Sequence, residues 1–202
     1  SQHGEDTEIS KFFEKKNKGY YCDIGCFHPI RYSNTFNLFK KGWRGTNIDV
    51  NKTSIDLFNI ARPNDKNICA AISDDTYEVD FFEDDILGPI NTIDDKMYEK
   101  SKGIFFKKGI VKKIKTSKIF DLISKNILYE KTDFLNIDAE GSDYKIIKQI
   151  DLKNSNINLV AIETHSPNGD TLDDFNNISK YFDNNQYFVH KKIGPTTLYT
   201  KK

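Results

Sequence analysis

The chain has 202 residues, of which 37% are hydrophobic and 13% aromatic, and its formal net charge is +0. This length is enough for one hydrophobic core and too little for two, so we predict a single domain over residues 1–202. A neutral chain has no excess cationic charge to displace the counterions of a nucleic acid, so we expect no nucleic-acid partner. No stretch reaches the ~20 apolar residues of a membrane span, and the first residues do not resemble a leader sequence.

The first informative segment is an apolar strand, residues 20–24, that ends in a polar loop. In α/β folds with parallel strands, ligands bind beyond the carboxyl ends of the strands. Gly25 allows a backbone to approach a ligand closely, and Asp23 suits an ammonium group or a bridging water. The loop lacks the Gly-x-Gly-x-x-Gly pattern of pyrophosphate sites, which favours a nucleotide carrying an amino acid over a dinucleotide.

Two further strands are predicted to deliver polar residues to the same edge. Residues 45–50 contain Asp49, which lies where ribose hydroxyls are bound in such folds. The other interpretation of Asp49 is a favourable charge at the N-terminus of the next helix. Residues 67–72 form a third strand, and Ser73 and Asp74 after it are predicted to lie beside an adenine ring.

The second half of the chain adds a cluster of titratable residues. Residues 132–138 form an apolar strand ending in Asp138, followed by Glu140 and an amphipathic helix. Residues 157–162 form another strand that leads into Glu163 and His165. Because neighbouring parallel strands end at the same edge, we expect these four side chains to lie close together.

In their order and spacing, these motifs resemble the FkbM family of S-adenosylmethionine-dependent methyltransferases. The matching segments are QHGED at 2–6, DIGCFHP at 23–29, SNT at 33–35, GWRG at 42–45, NID at 47–49, AIS at 71–73 and FLNIDAEG at 134–141. The resemblance implies the α/β, Rossmann-like class I methyltransferase fold. This fold has a mostly parallel seven-stranded sheet with a C-terminal antiparallel hairpin and helices on both faces.

The resemblance also implies S-adenosylmethionine as the cofactor and a hydroxyl of a sugar or small natural product as the acceptor. Composition alone predicts a frayed polar N-terminus, so only the resemblance gives residues 2–5 a role. The predicted cofactor-binding residues are Gln2, Gly4, Glu5, Asp23, Gly25, Asn34, Asp49, Ser73, Asp74 and Asp138.

Methylation of a hydroxyl needs either a general base or a divalent cation that lowers the hydroxyl pKa. Asp138, Glu163 and His165 are the predicted catalytic residues and suit either scheme. As metal ligands they would favour Mg²⁺ or Mn²⁺, which prefer hard oxygen donors. Without a metal, His165 would act as the base, oriented by Glu163. A third interpretation is that His165 only caps a loop.

As a function we predict a cytoplasmic O-methyltransferase acting on a sugar, as a nucleotide-activated precursor of a surface glycan. The partner is therefore a small-molecule sugar or nucleotide-sugar, and the oligomeric state is left open. Cys22, Cys26 and Cys69 are predicted to be reduced core thiols, which fits the cytoplasm. The alternatives are a nicotinamide-dependent oxidoreductase and a non-catalytic module with a cofactor fold.

Three local predictions concern the remaining segments. Residues 87–108, with their glycines and proline, are predicted to form an inserted loop or lid. Lysines crowd residues 107–118, where they either protect an edge strand or contact the diphosphate of an activated sugar. His28 either shapes its own loop or contacts substrate, and we favour the first role.

Overall fold

A computed structural model of the protein describes residues 1–83, 91–101, 110–166 and 169–201. In these residues the strands are β1 Tyr20–Ile24, β2 Arg44–Asp49, β3 Lys66–Cys69, β4 Ala71–Ile72, β5 Glu78–Glu83, β6 Ile110–Ser117, β7 Phe134–Ile137, β8 Leu159–Glu163, β9 Tyr187–Ile193 and β10 Thr196–Lys201. Seven of them form one sheet in the order β3-β2-β1-β7-β8-β10-β9.

This main sheet has the predicted architecture. Strands β3, β2, β1, β7 and β8 are parallel, whereas β10 runs antiparallel to both β8 and β9. All four residues of β7 are buried, as expected for a central parallel strand covered on both faces. The prediction of a mostly parallel sheet with a C-terminal antiparallel hairpin is confirmed.

Helices cover both faces of the main sheet, as predicted. Ile146 and Phe182 pack on one face with Leu135, while Ile9 and Leu38 belong to a second buried cluster on the other. No helix of the described part is both long and apolar enough to cross a membrane. The helices are α1 Glu5–Phe12, α2 Phe36–Lys40, α3 Lys52–Ala61, α4 Asp95–Ser101, α5 Ile119–Leu122, α6 Asp143–Ile147 and α7 Phe175–Asn184, with a π-helical segment at Asn126–Lys131 and a 3₁₀ turn at Leu152–Asn154.

The predicted third strand is divided between two sheets. Its first part, β3, pairs with β2 at the edge of the main sheet, while β4 pairs with β6. The separation occurs at Ala70, whose N–H still donates to the Asp49 carbonyl oxygen at 2.9 Å. Because β3 is the outermost strand, Cys69 is exposed, and the prediction of a core thiol was wrong for this residue. Cys22 and Cys26 are buried, and all three thiols are free.

The second sheet has the order β4-β6-β5. Most of the lysine-rich segment forms its middle strand, β6, so the interpretation of these lysines as protection of an edge strand was wrong. Strand β6 pairs with β5, which places Lys113 opposite Asp80 and Lys115 opposite Glu78. Lys112 forms an ion pair with Glu83, and Lys113 lies 2.7 Å from Asp80. These lysines therefore already have anionic partners. Of the predicted insertion, only residues 91–101 are described; 87–90 and 102–108, including Lys107 and Lys108, lie outside.

A fully buried arginine at the end of α3 fixes the loop that follows β1. Arg62 is 0% exposed. Its guanidinium donates hydrogen bonds to Thr35 Oγ1 at 2.9 Å, to Ser33 Oγ at 3.1 Å and to the Tyr21 hydroxyl at 3.1 Å. Thr35 Oγ1 in turn donates to Asp23 Oδ2 at 2.7 Å. The Thr35 hydroxyl thus bridges the buried guanidinium of Arg62 and the buried carboxylate of Asp23.

Replacement of this arginine tests how much the fold depends on it. Arg62→Met should lower the free energy of unfolding by about 3 kcal/mol or more, because Asp23 stays buried without its nearby cation. Urea denaturation followed by circular dichroism measures the change. Arg31→Met is the matched control, since Arg31 is exposed. A loss for Arg62→Met no larger than that of the control would contradict the argument.

Candidate functional site

An open cavity lies beyond the carboxyl ends of β1, β2 and β7. Its volume is about 1010 Å³, including the solvent at its mouth. The wall combines residues from the loop after β1, the start of α3, β4, the loop after β7 and the N-terminal segment. Its polar members among the described residues are Gln2, Asp23, Tyr32, Ser33, Asn34, Asp49, Asn51, Ser54, Asn91, Thr92, Asn136, Asp138, Glu140 and Ser142.

Gly25 forms a tight crossing in this wall. Its φ is +74°, and a Cβ atom there would lie 1.7 Å from the Asp138 carbonyl oxygen. The Asp138 N–H also donates to the Ile24 carbonyl oxygen at 3.0 Å. We predicted that this glycine admits a ligand. The structure adds that the backbone of Asp138 already leaves no space for a side chain.

Asp23 lies in the cavity wall but is 1% exposed. One carboxylate oxygen accepts from Thr35, and the other accepts from Asn136 Nδ2 at 2.9 Å. Burial raises its pKa, and the Thr35 hydrogen bond and the Arg62 charge oppose that effect. Asn136 Oδ1 accepts from Asn34 Nδ2 at 3.0 Å. The predicted residues Asp23 and Asn34 are therefore joined through Asn136.

Asp49, the predicted ribose ligand, lines the cavity at the end of β2. Its Oδ2 accepts from the Phe27 N–H and its Oδ1 from the Asn51 N–H, both at 2.8 Å. Burial raises the pKa of Asp49 to about 6, and these two hydrogen bonds partly offset the effect. The N-terminus of α3 is capped by Asn51 instead, whose side chain accepts from the Thr53 N–H at 2.8 Å.

Ser73 and Asp74 do not reach the cavity, contrary to our expectation. Ser73 Oγ lies 2.5 Å from the Tyr77 hydroxyl, and Asp74 forms an ion pair with Lys148 at 2.8 Å. The preceding residues of β4, Ala71 and Ile72, line the cavity in their place. The backbone joins the second sheet at β4, and this change of sheet directs the side chains of Ser73 and Asp74 away from the cavity.

The N-terminal segment folds against the cavity. Gln2 belongs to the wall, and Gly4 precedes α1 with a φ of +94°. Glu5 is 3% exposed, and its carboxylate accepts from the His3 N–H at 3.0 Å. The charge of Glu5 also contributes to the raised pKa of Asp138. Of these three predicted residues, only Gln2 lines the cavity; Glu5 lies behind it.

Several acidic residues lie close together in the segments that follow β7 and at the end of β8. Burial first, and then the charge of Asp143, raise the pKa of Asp138 to about 7. Solvent in the cavity reaches Asp138 and moderates this effect. Burial and the charge of Asp138 also raise the pKa values of Glu140 and Glu163. Asp138, Glu140 and Glu163 are therefore brought together as predicted, although Glu163 does not line the cavity.

The loop that carries Glu140 is held in a strained conformation. Glu140 has a φ of +45°, which is unusual for a residue with a side chain. The carboxylate of Asp143 accepts from the Ala139 N–H at 3.2 Å and from the Gly141 N–H at 3.3 Å. Thr92 Oγ1 donates to the Glu140 carbonyl oxygen at 2.7 Å. The backbone of this loop is therefore held by Asp143 of α6 and by Thr92.

His165 does not take the position that either catalytic scheme requires. It is 7% exposed and absent from the cavity wall. Its Nδ1 is 2.7 Å from Thr164 Oγ1, and its ring packs edge-on against Phe175. Burial and the charge of Lys192 lower its pKa. No three His, Cys, Asp or Glu residues of the described chain are arranged to hold a metal, so Asp138, Glu163 and His165 are not assembled as ligands.

Two further positions in the wall were not predicted from the sequence. Ser54 and Ser142 are each 1% exposed and line the cavity. Their hydroxyl oxygens have no hydrogen-bond partner among the described residues, and neither does Asn34 Oδ1. Buried polar atoms normally have a partner, so these three atoms indicate a polar ligand or bound water. A serine at the start of a helix gives no sequence signal of this role.

His28 shapes its loop, as we favoured. Its Nδ1 accepts from the N–H groups of Ile30 and Arg31, each at 3.0 Å. This arrangement requires an unprotonated Nδ1, and burial and nearby arginines lower the His28 pKa accordingly.

Comparisons with known proteins identify the family. Residues 16–189 match the family described as "Methyltransferase FkbM domain". The fold is similar to the crystal structure of Methyltransferase FkbM from Methylobacillus flagellatus KT, with a TM-score of 0.56 and 13% sequence identity. The alignment covers 91% of this chain and 44% of that one, so this chain spans less than half of that protein. No match was found among curated proteins. Because the family match extends over most of the chain, the protein belongs to the FkbM methyltransferase domain family.

Proposed function

We propose that the protein transfers a methyl group from S-adenosylmethionine to a hydroxyl of a sugar. The main support for this proposal is the acidic character of the cavity wall. Asp23, Asp49, Asp138 and Glu140 contribute carboxyl groups, and the described lining includes no lysine, arginine or histidine. Such a wall attracts the positive sulfonium and ammonium groups of the donor. It would repel the pyrophosphate of a nicotinamide dinucleotide. The loop after β1 also lacks the glycine-rich sequence that binds such a pyrophosphate.

The polar atoms of the wall fit this cofactor. Asp49 would hold the ribose hydroxyls, since each of its oxygens accepts one backbone N–H and keeps a second acceptor site. Gln2 and Asn34 would hold the methionine end, with the unpartnered Asn34 Oδ1 as an acceptor for its ammonium group. Ser54 and Ser142 offer further hydroxyls without partners. Ala71 and Ile72 would supply an apolar contact for the adenine.

The chemistry requires few groups from the protein. When bound, S-adenosylmethionine supplies a methyl group on a positively charged sulfur. The protein must align the acceptor oxygen, exclude water and receive the hydroxyl proton. Asp138 is the proposed proton acceptor, because it lines the cavity and its pKa lies near neutrality. Glu163 lies outside the wall and would interact with Asp138 rather than with the acceptor. His165, which contacts Thr164 and Phe175, is given no part in this step.

The finer identity of the acceptor is supported by the family resemblance. FkbM-like motifs favour a sugar or natural-product hydroxyl, and we place the reaction in the cytoplasm, in surface glycan biosynthesis. If the sugar is nucleotide-activated, its diphosphate has to lie outside the acidic wall. The lysines of β6 do not offer an obvious site for it, because Lys112 and Lys113 already pair with Glu83 and Asp80.

The ribose role of Asp49 gives the first test of this function. Asp49→Asn should weaken the binding of S-adenosylhomocysteine roughly tenfold or more, because it replaces a charged hydrogen-bond acceptor. Calorimetric titration measures the affinity, and circular dichroism checks the fold. Asp56→Asn is the control, since Asp56 is exposed on the surface of α3. Equal affinities for Asp49→Asn and the wild type would remove Asp49 from the ribose site.

The charge argument predicts a difference between two closely related ligands. Asp138→Asn should weaken the binding of S-adenosylmethionine roughly tenfold, and that of S-adenosylhomocysteine less, because only the former carries the sulfonium charge. Both affinities can be measured by calorimetry at low ionic strength. An equal loss for both ligands would show that Asp138 does not interact with the sulfonium.

The raised pKa of Glu163 predicts a dependence of stability on pH. Burial and neighbouring acids raise this pKa from 4.5 to about 10, so the folded state binds the proton more tightly than the unfolded chain does. The stabilisation is complete below about pH 4.5 and is lost as the pH rises through the folded-state pKa. Glu163→Gln removes this ionisation.

The melting temperature of Glu163→Gln should therefore rise relative to the wild type as the pH increases from about 5 to about 9. Differential scanning calorimetry measures the difference. Glu14→Gln is the control, because Glu14 is exposed at the surface. Parallel curves for Glu163→Gln and the wild type would exclude the raised pKa.

A further inference from the structure

Two nearly parallel, stacked aromatic rings lie in the wall of the cavity. Phe27 and Tyr32 both line it, with ring centroids 6.1 Å apart and an angle of 15° between the ring planes. Tyr32 is 48% exposed, and its neighbour Ile30 is 54% exposed. An apolar surface of this kind beside a cavity is typical of a ligand-binding site.

Both aromatic residues have a strained backbone. The φ of Phe27 is +51° and that of Tyr32 is +58°, a region that bulky L-residues rarely adopt. Such conformations persist only where the surrounding structure enforces them, and they concentrate at functional sites. A third residue of this kind, Glu140, lies in the same wall.

The loop between the two rings is fixed by hydrogen bonds from several directions. Asp49 accepts from the Phe27 N–H at 2.8 Å, and His28 accepts from the N–H groups of two following residues at 3.0 Å. The Arg62 guanidinium donates to the carbonyl oxygen of Pro29. The rings are therefore held in position by the protein itself, so a ligand that stacks on them does not have to order the loop.

We propose that Phe27 and Tyr32 form the stacking surface for the sugar ring of the acceptor. The inference rests on the proposed function and adds an acceptor subsite to it. The C–H face of a pyranose ring is apolar and packs favourably on aromatic rings. The carboxyl groups of Asp138 and Glu140, in the same wall, suit the hydroxyl edge of the sugar.

Saturation-transfer difference NMR with the full chain tests this subsite. The protein is first saturated with S-adenosylhomocysteine, and the probes are the methyl glycosides of glucose, galactose and mannose. Tyr32→Ala should weaken binding of the best probe at least about fivefold, because a stacked ring is lost. Tyr32→Phe should retain binding, since stacking does not need the hydroxyl. Phe188→Ala is the control, because Phe188 is an exposed aromatic residue on the edge strand β9.

The possible results separate this subsite from the cofactor site. If the wild type does not bind S-adenosylhomocysteine, the proposed function itself fails. If it binds S-adenosylhomocysteine but none of the three glycosides, or if Tyr32→Ala binds the glycosides as well as Tyr32→Phe does, the stacking surface is overturned. A loss of S-adenosylhomocysteine affinity in Tyr32→Ala would assign the ring to the cofactor instead.

Discussion

The candidate site depends on a buried chain of polar contacts that begins at Arg62. The guanidinium reaches the loop after β1 through Thr35, and Thr35 links it to Asp23. Asp23 then accepts from Asn136 on β7, which binds Asn34. Burying both charges costs solvation, and only well-placed hydrogen bonds offset that cost. The chain of contacts therefore joins α3, the loop after β1 and two central strands, and it holds the cavity wall in one arrangement.

The sequence predicted the main sheet well because its signals there are local. Apolar runs that end in Asp23, Asp49 and Asp138 are recognisable without knowledge of their neighbours, and all three residues line the cavity. The division of the third strand could not be predicted in this way. It depends on the pairing of Ala71 with Thr116, which lies far away in the sequence. That pairing directs Ser73 and Asp74 away from the cavity.

The limits of the site prediction have a similar physical origin. Proximity of Glu163 to Asp138 follows from parallel strands, but the direction of a side chain beyond a strand end does not. His165 is directed by Thr164 and Phe175, neither of which the strand pattern identifies as its neighbour. The burial of Arg62 could not be predicted from the sequence either, because an arginine at the end of a helix is usually exposed. Its burial follows from the loop that folds over it.

The accumulation of carboxyl groups connects stability with the proposed function. Burial and the charges of neighbouring acids raise the pKa values of Asp49, Asp138 and Glu140, so the wall opposes its own ionisation. A cationic ligand relieves this repulsion and stabilises the folded state by its binding energy. Methyl transfer removes the positive charge from the sulfur. The same wall should therefore bind the product less tightly than the donor, because its carboxylates then face a neutral sulfur atom.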